Sequence, residues 1–164
     1  MTKSDKATGG AEIMVRRATI ADLGALAEFN MGIALKTEAR RLDPDVLRAG
    51  LARVLGDSSL GFYSVAEIGG EVVGCTLITF EWSDWRNGMI WWIQSVYVAA
   101  HARGQGVFSA IHRRLDEESR SIPGVLGFRL YVEEENHRAQ EVYRRRGLGR
   151  TRYVVFEGLH DESQ

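Results

Sequence analysis

Cysteine is almost absent from this sequence of 164 residues, which contains one cysteine and only two prolines. The single cysteine, Cys75, cannot form an internal disulfide bond, which excludes a disulfide-stabilised secreted domain and favours a reducing, cytoplasmic setting. No run approaches the roughly 20 apolar residues that a transmembrane helix needs. The formal net charge of −1 lacks the basic excess of a general nucleic-acid-binding protein. These absences leave an ordinary globular domain as the expectation.

Internal repeats, low-complexity segments and linkers are also missing from the chain. With 45% apolar and 26% charged residues, its composition is that of one domain large enough to bury a core. We expect that domain to span residues 11–158. Residues 1–10 are polar and carry two glycines, so we expect a disordered lead-in and no signal peptide, and residues 159–164 form a polar tail.

The spacing of apolar residues predicts an α/β fold with a mixed central sheet. In chain order it predicts a strand at 12–18, a helix after Thr19, a helix from Pro44, antiparallel strands at 62–67, 71–81 and 89–98, a helix after Gly106, a strand at 127–132, a helix at 136–146 and a final strand at 150–157. Thr19 and Asp43 are typical residues for the position that precedes a helix.

The stretch from Gln94 to Leu115 carries the strongest functional signal. A strand with Val96, Tyr97 and Val98 runs into Arg-Gly-Gln-Gly at residues 103–106, and a helix follows. The first amides of a helix have no internal partner, the helix dipole is positive there, and glycines allow a phosphate to approach the main chain. The stretch therefore predicts a phosphate-binding turn, with a purely structural strand-to-helix turn as the alternative.

Other phosphate-binding motifs fit this stretch less well. The P-loop string, which ends in Gly-Lys-Ser/Thr, does not occur in the sequence. A dinucleotide fingerprint would need a third glycine where Ser109 stands and a second βαβ unit. A redox enzyme with Glu133 on the ribose is therefore a weak alternative.

The stretch resembles the central motif of the GNAT superfamily of acetyl-CoA-dependent N-acetyltransferases. There a hydrophobic strand runs into Gln/Arg-x-x-Gly-x-Gly/Ala and a helix; His101 departs from this pattern at its first position. A second family motif follows in the expected order, with Leu130-Tyr131-Val132 and then Asn136, Ala139, Tyr143 and Gly147. The resemblance spans about residues 13–157. It implies a GNAT-like, mostly antiparallel sheet of about six strands flanked by four helices, although only one strand is predicted after the last helix.

The resemblance implies acetyl-CoA as cosubstrate, no metal, and a set of residues that bind the cosubstrate. Main-chain groups on the central strand would pair with pantetheine, with the amide of Val98 as oxyanion donor. The turn would hold the pyrophosphate, with help from the hydroxyl of Ser109, and Asn136 would bond the pantetheine. The complete set is Val96, Tyr97, Val98, Arg103, Gly104, Gln105, Gly106, Val107, Phe108, Ser109, Asn136 and Tyr143.

Acetyl transfer to an amine also needs an acid for the thiolate and a route for the amine proton. By the resemblance, Tyr143 is the general acid, and a core tyrosine is the alternative. The general base has no obvious candidate on the central strand. Glu81, with Asp84 behind it, is predicted for that role, and Gln94 can position a water but cannot accept a proton. Cys75 is expected to be a buried small apolar residue, so direct transfer in a ternary complex is favoured over an acyl-enzyme.

Four tryptophans and two acids cluster around the hairpin that contains residues 81–92. One or two of the tryptophans are expected in the core, and the others can form a pocket for a cation. The predicted acceptor-binding residues are Trp82, Asp84, Trp85 and Gln94. Most arginines of the last two helices are expected on solvated faces, with one or two near the 3′-phosphate of CoA.

These patterns predict a cytoplasmic N-acetyltransferase that acts on a primary amine of a small molecule. A non-catalytic acyl-CoA-binding module is the first alternative, supported by the missing base and by His101. A protein or peptide amine as acceptor is the second. No nucleic-acid or membrane partner is expected, and a homodimer through an exposed sheet edge is possible for this architecture.

Overall fold

The computed structural model describes residues 12–160; the predicted lead-in at 1–10 and the end of the tail lie outside that range. Ten helices and strands follow one another in the order predicted as far as the last helix. They are β1 (Ile13–Arg17), α1 (Leu23–Glu38), α2 (Pro44–Gly56), β2 (Phe62–Ile68), β3 (Glu71–Ser83), β4 (Gly88–Ile93), β5 (Tyr97–Val98), α3 (Val107–Ser121), β6 (Val125–Leu130) and α4 (His137–Arg145).

The six strands form one open, mixed sheet in the order β1-β2-β3-β4-β6, and β5 also pairs with β3. All pairs are antiparallel except β4 with β6. The β2–β3 hairpin turns at Gly69 and Gly70, both at positive φ. The predicted fold class, with its mostly antiparallel sheet and four helices, is therefore confirmed.

Two layers of helices cover different parts of the sheet. On one face α3 packs through its apolar side on the centre of the sheet. This cluster contains Val73, Ile78, Trp91, Ile93, Val107, Ile111 and Leu115, with Phe80, Phe128 and Leu130 packed against it. On the other face α1 and α2 pack mainly on β2, β3 and β5, around Leu26, Leu51, Tyr63, Val65 and Cys75. In the described part of the chain, α1 and α2 make little contact with β4 and β6.

The predicted central strand at 89–98 is divided in the structure. Ile93 pairs with Ile78, and the next pair on the same strand is Tyr97 with Cys75. Three residues, 94–96, thus lie opposite two, 76–77, and the extra residue makes a bulge that bends the strand. Periodicity could not show this break because both halves of the segment are equally strand-like.

The predicted final strand at 150–157 is wrong. Residues 151–160 are assigned no helix or strand. The side chains of Tyr153, Val154, Val155 and Phe156 are mostly exposed. Strand propensity measures how well a residue fits a pleated, half-buried surface. In the described part of the chain, this run has no neighbouring strand that supplies such a surface.

Candidate active site

The turn between β5 and α3 contains the residues that were predicted to bind an anion. Gly104 and Gly106 take φ values of 79° and 87°, in the left-handed region that favours glycine. Gly106 is the residue before the helix, and no side chain caps it. The helical hydrogen bonds begin at Ala110 N, which donates to Gly106 O at 2.9 Å. The amides of residues 107–109 precede that bond and can donate to an anion.

Two side chains of the turn donate hydrogen bonds to main-chain carbonyl groups. Arg103 Nε donates to Val98 O at 3.0 Å, and Gln105 Nε2 donates to His101 O at 2.8 Å. The imidazole of His101 is 63% exposed and lies 3.4 Å from Glu71 Oε1. His101 therefore takes part in the shape of the turn through its carbonyl group, while its side chain faces solvent.

Strands β4 and β6 separate beside this turn. Their parallel pairing ends at Ile93 and Leu130. Beyond that pair, the main chain of Tyr97 and Val98 is hydrogen-bonded to β3 on one side. The residues that follow β6, Tyr131 and Val132, are partly exposed. An extended ligand that enters the gap meets main-chain groups of residues 96–98 with the geometry of a sheet edge.

Asn136 and Tyr143 belong to α4, the helix that follows β6: Asn136 lies immediately before it and Tyr143 in its last turn. Asn136 Oδ1 accepts from Ala139 N at 3.1 Å, which caps the helix and leaves the side-chain NH₂ as a donor. The ring of Tyr143 packs edge-on against Phe108, with centroids 5.8 Å apart. Burial raises the pKa of Tyr143 above its usual value of about 10, so the phenol is protonated at neutral pH.

A contact between Arg146 and Ser109 joins α4 to the first turn of α3. The guanidinium of Arg146 donates to Ser109 Oγ. Two neighbouring arginines, Arg144 and Arg145, instead form ion pairs with Glu141 on their own helix. Sequence reasoning placed Ser109 in the site but could not select Arg146 among the arginines, because the choice depends on how the two helices pack.

Glu81 lies in a network on the opposite, α1/α2 side of the sheet. Phe80 and Trp91 belong to the cluster under α3, so the alternation of strand side chains places their neighbours Glu81 and Trp92 on the other face. Glu81 Oε1 accepts a hydrogen bond from Arg129 Nη1 at 2.5 Å, and Glu81 Oε2 accepts one from the indole N–H of Trp92. Sequence reasoning missed Arg129, although alternation along β6 would have placed it on this face.

The predicted acceptor-binding residues are brought together only in part. Trp82, Asp84 and Trp85 line an open hollow with Glu81, Arg129 and Tyr153. Trp85 is 87% exposed, so this is a surface depression and not a closed pocket. Gln94 lies outside the lining and donates from Nε2 to Thr79 Oγ1 at 3.1 Å.

Two further predictions concern core residues. Trp91 is buried in the cluster under α3, as expected for one or two of the four tryptophans. Cys75 is completely buried, and this burial raises the pKa of its thiol to about 12. Such a thiol is not a nucleophile at neutral pH.

Residues 12–160 contain no candidate metal site and no membrane-spanning helix. No cluster of three or more His, Cys, Asp or Glu side chains suited to a metal ion occurs there. Within the same range, no helix combines the length and the apolar character that a membrane span requires.

The sequence is similar to those of known acetyltransferases. The sequence model of the Acetyltransferase (GNAT) family matches residues 28–148. The chain belongs to the GNAT acetyltransferase family. A thialysine N-epsilon-acetyltransferase of Bos taurus is 30% identical over 159 residues, which cover 90% of this chain and 89% of that protein. The chain is thus an N-acetyltransferase of a family that uses acetyl-CoA.

Solved structures show the same fold. The crystal structure of a possible acetyltransferase from Clostridium difficile 630 has a TM-score of 0.84 at 37% identity, over 92% of this chain and 99% of that one. The structure of AAC(6')-Iy, in complex with a bisubstrate analogue of CoA and acetylneamine, has a TM-score of 0.73 over 92% and 100% of the two chains. At 14% identity, the second likeness shows the fold alone.

Proposed function

We propose that this acetyltransferase moves the acetyl group of acetyl-CoA directly to a primary amine of a small molecule, in a ternary complex. The observation that carries the proposal is the uncapped N-terminus of α3 beside the gap where β4 and β6 separate. An anion site next to a free sheet edge suits a ligand with a pyrophosphate and an amide-containing arm. The bovine relative is named for a small amine, which supports that acceptor class over a protein amine.

In this proposal the cosubstrate is held mainly by main-chain groups. The amides at residues 103–108 bind the pyrophosphate, and residues 96–98 pair with pantetheine, with Val98 N as the oxyanion donor. The NH₂ group of Asn136 bonds the same arm, because its carbonyl oxygen already caps α4. Arg146 and the hydroxyl of Ser109 add a cation and a donor beside the turn.

Tyr143 is proposed as the general acid that protonates the departing thiolate. The partly buried phenol, with its raised pKa, keeps its proton at neutral pH, so that the proton is available for transfer. A thiolate with a conjugate pKa near 8.5 gains that proton only in a well-aligned complex. The buried, protonated Cys75 gives no support to an acyl-enzyme, so we propose direct attack by the amine.

Glu81 remains a proposal for the general base, and its contacts define how a proton could reach it. Both of its oxygens already accept hydrogen bonds. Glu81 on β3 lies opposite Ile90 on β4. Ile90 lies three residues, or about 10 Å, before Ile93, where the pairing of β4 with β6 ends. In this proposal a water acts as the relay and the carboxamide oxygen of Gln94 holds it, which is supported by the bond of Gln94 Nε2 to Thr79.

Thermal unfolding with acetyl-CoA, CoA and NAD, followed by thiol release with a panel of amines, tests the proposal. A ligand at about 100 times its dissociation constant adds roughly 2.7 kcal/mol to the free energy of unfolding. We expect stabilisation by both CoA species and thiol release with small amines. Stabilisation without turnover would favour the non-catalytic acyl-CoA-binding module, and stabilisation by NAD alone would refute the acetyltransferase site.

We also propose that residues 11–158 act as one catalytic domain in a cytoplasmic homodimer. The cytoplasmic setting rests on the single cysteine. The homodimer rests on the exposed apolar run at residues 153–156.

A further inference from the structure

A cavity of about 350 Å³ lies between α2 and the sheet, on the α1/α2 side. The charged residues of its lining are Arg40 and Asp43, in the loop before α2. Its aliphatic lining residues are Leu42, Val46, Leu47, Leu51, Val54 and Leu77. The volume is that of a site for a small organic ligand, and the lining suits an apolar group.

The cavity is open to solvent near the start of α2. Arg40 is exposed and Val46 is 48% exposed, whereas Leu51, on the same side of the helix, is 4% exposed. The apolar side of an amphipathic helix is normally covered by the core. Part of this side is therefore left for a ligand to cover.

Gly50 has neither a packing reason nor a backbone reason to be a glycine. It lies inside α2 without a positive φ, and a Cβ built on it would meet no atom within 4 Å. A glycine inside a helix is less favourable than alanine or leucine at the same position. Gly50 lines the cavity, so a side chain there would occupy its space. The glycine thus keeps the cavity open at a cost in helix stability.

The floor of the cavity adjoins the bulge at residues 94–96. The amide of Gln94 donates to the carbonyl oxygen of Leu77 at 2.8 Å, and Leu77 directly precedes the end of the β3–β4 pairing. Trp82, in the open hollow, lies five residues or about 17 Å farther along β3. The cavity is therefore nearer than the hollow to residues 96–98, where the pantetheine arm is proposed to pair.

We propose that this cavity binds the apolar body of the acceptor, and that the acceptor is a monoamine with an aliphatic chain. In this assignment the amine lies at the bulge and the chain extends past Gly50 under α2. The inference rests on the proposed function, because it names the chemistry of the acceptor for the same site.

The charges of the lining disfavour a polyamine. Arg40 and Asp43 carry opposite charges, so the lining has no net negative charge that would hold a second ammonium group. Asp43 Oδ1 already accepts from the amides of Asp45 and Val46. An ammonium placed deeper in the cavity would lie among aliphatic side chains, which is unfavourable for an unpaired charge.

The experiment compares ethylamine, hexylamine and 1,6-diaminohexane. Calorimetry measures their binding to the CoA-loaded protein, and thiol release from acetyl-CoA gives kcat and KM. We expect kcat/KM for hexylamine to exceed that for ethylamine by about 10²-fold, because each buried methylene group contributes about fourfold. The diamine, which has the same chain with a second charge, should fall at least tenfold below hexylamine.

Gly50→Leu fills the cavity from the helix side. It should raise KM for hexylamine and lower the hexylamine-to-ethylamine ratio at least tenfold, with little effect on kcat for ethylamine. Leucine is more favourable than glycine in a helix, so the midpoint of thermal unfolding should not fall. Gly24→Leu is the matched control, because Gly24 is also a helical glycine with open surroundings but lies on α1, outside the cavity. It should leave the ratio unchanged.

The outcomes separate this inference from the proposed function. Equal kcat/KM for the two monoamines, a ratio that Gly50→Leu does not move, or a preference for the diamine would each overturn the inference. Hexylamine that neither binds nor reacts would also overturn it, while thiol release with other small amines would still uphold the proposed function. Binding of hexylamine that Gly50→Leu abolishes, without thiol release, would support the cavity and count against the proposed function.

Discussion

Tyr143 is the residue on which the catalytic proposal depends most directly. We expect Tyr143→Phe to lower kcat by about 10²–10⁴-fold, because general acid catalysis is lost, while acetyl-CoA still stabilises the fold. Since burial raises the pKa of this phenol, wild-type activity should persist to high pH and fall only as the tyrosine ionises. That alkaline limb should be missing from the pH profile of the variant.

Tyr63→Phe is the matched control for that experiment. Tyr63 is also a buried tyrosine, but it packs in the α1/α2 cluster and its hydroxyl accepts from Asn30 Nδ2 at 3.3 Å. Its loss should reduce the free energy of unfolding and leave kcat unchanged. A Tyr143→Phe variant that keeps full kcat would instead assign Tyr143 to the core.

Because of the buried side chain of His112, we expect the free energy of unfolding to depend on pH. His112 is buried on α3 against Phe108 and Phe128, and its Nε2 has no hydrogen-bond partner among the described residues. Burial, with a smaller effect of Arg146, lowers its pKa, and Asp116 opposes the shift. The unfolded chain therefore binds the proton more readily, so this part of the stability is present above pH about 6.5 and is lost as pH falls.

Chemical unfolding between pH 5 and pH 7 checks this expectation. His112→Gln should be less sensitive to pH over this range than the wild-type protein, whereas His101→Gln, at an exposed histidine, should retain the wild-type slope. An unchanged slope in His112→Gln would show that His112 is not the group that titrates.

Candidate site residues could be named where they belong to a local motif. The turn at residues 103–106, Asn136 and Tyr143 could be named from spacing, and their roles stay predictions. Alternation along β6 indicates the face on which Arg129 lies, but the partners of Arg129 and Arg146 could not be predicted, because each pair joins residues more than 30 positions apart in the sequence. Such pairs depend on the register of the sheet and on helix packing, which hydrophobic periodicity does not encode.

At the scale of one element, we expect a substitution in the turn before α3 to affect acetyl-CoA binding more than the free energy of unfolding. A Cβ at Gly106 would meet no atom within 4 Å, but φ of 87° is strained for any L side chain. We expect Gly106→Ala to reduce the free energy of unfolding by about 1–2 kcal/mol. It should also weaken acetyl-CoA binding, because relaxation of the strain moves the amides that face the anion.

Gly124 offers a close control for that prediction. Its φ is 86° and its surroundings are equally open, but it lies in the turn between α3 and β6. Gly124→Ala should lose similar stability and keep the full stabilisation by acetyl-CoA. Equal loss of ligand stabilisation in both variants would show that the effect is not local to the anion turn.

The elements themselves were largely predictable because each has a local cause. Asp43, for example, accepts from the amides of Asp45 and Val46 and so begins α2 where the sequence indicated. The bulge at residues 94–96 was not predictable. It arises because β4 and β5 pair with β3 in two registers that differ by one residue, which is a property of the sheet.

At the scale of the molecule, the last apolar run, residues 153–156, and the outer edge of β6 have no strand partner among residues 12–160. Tyr153, Val154, Val155 and Phe156 are 66–91% exposed, and β6 is the terminal strand on its side. Exposed edges of this kind are templates for pairing with another chain. Two aromatic rings bury about 300–500 Å² together, a large share of the roughly 800 Å² per partner of a stable interface.

We therefore expect a two-fold dimer in which residues 153–156 of each copy cover the β6 edge of the other. Sedimentation of the full chain should give the mass of a dimer, and Phe156→Asp should shift it towards the monomer, because a buried carboxylate at the interface is costly. Leu35→Asp is the control, since Leu35 is an apolar residue on α1 that is 59% exposed. Hydrogen exchange should show protected amides at residues 153–156 and on the outer edge of β6 in the dimer only; the β6 amides that bond to β4 should be protected in both states. A wild-type protein that sediments as a monomer with the amides of residues 153–156 protected would instead mean that the run pairs with β6 of its own chain.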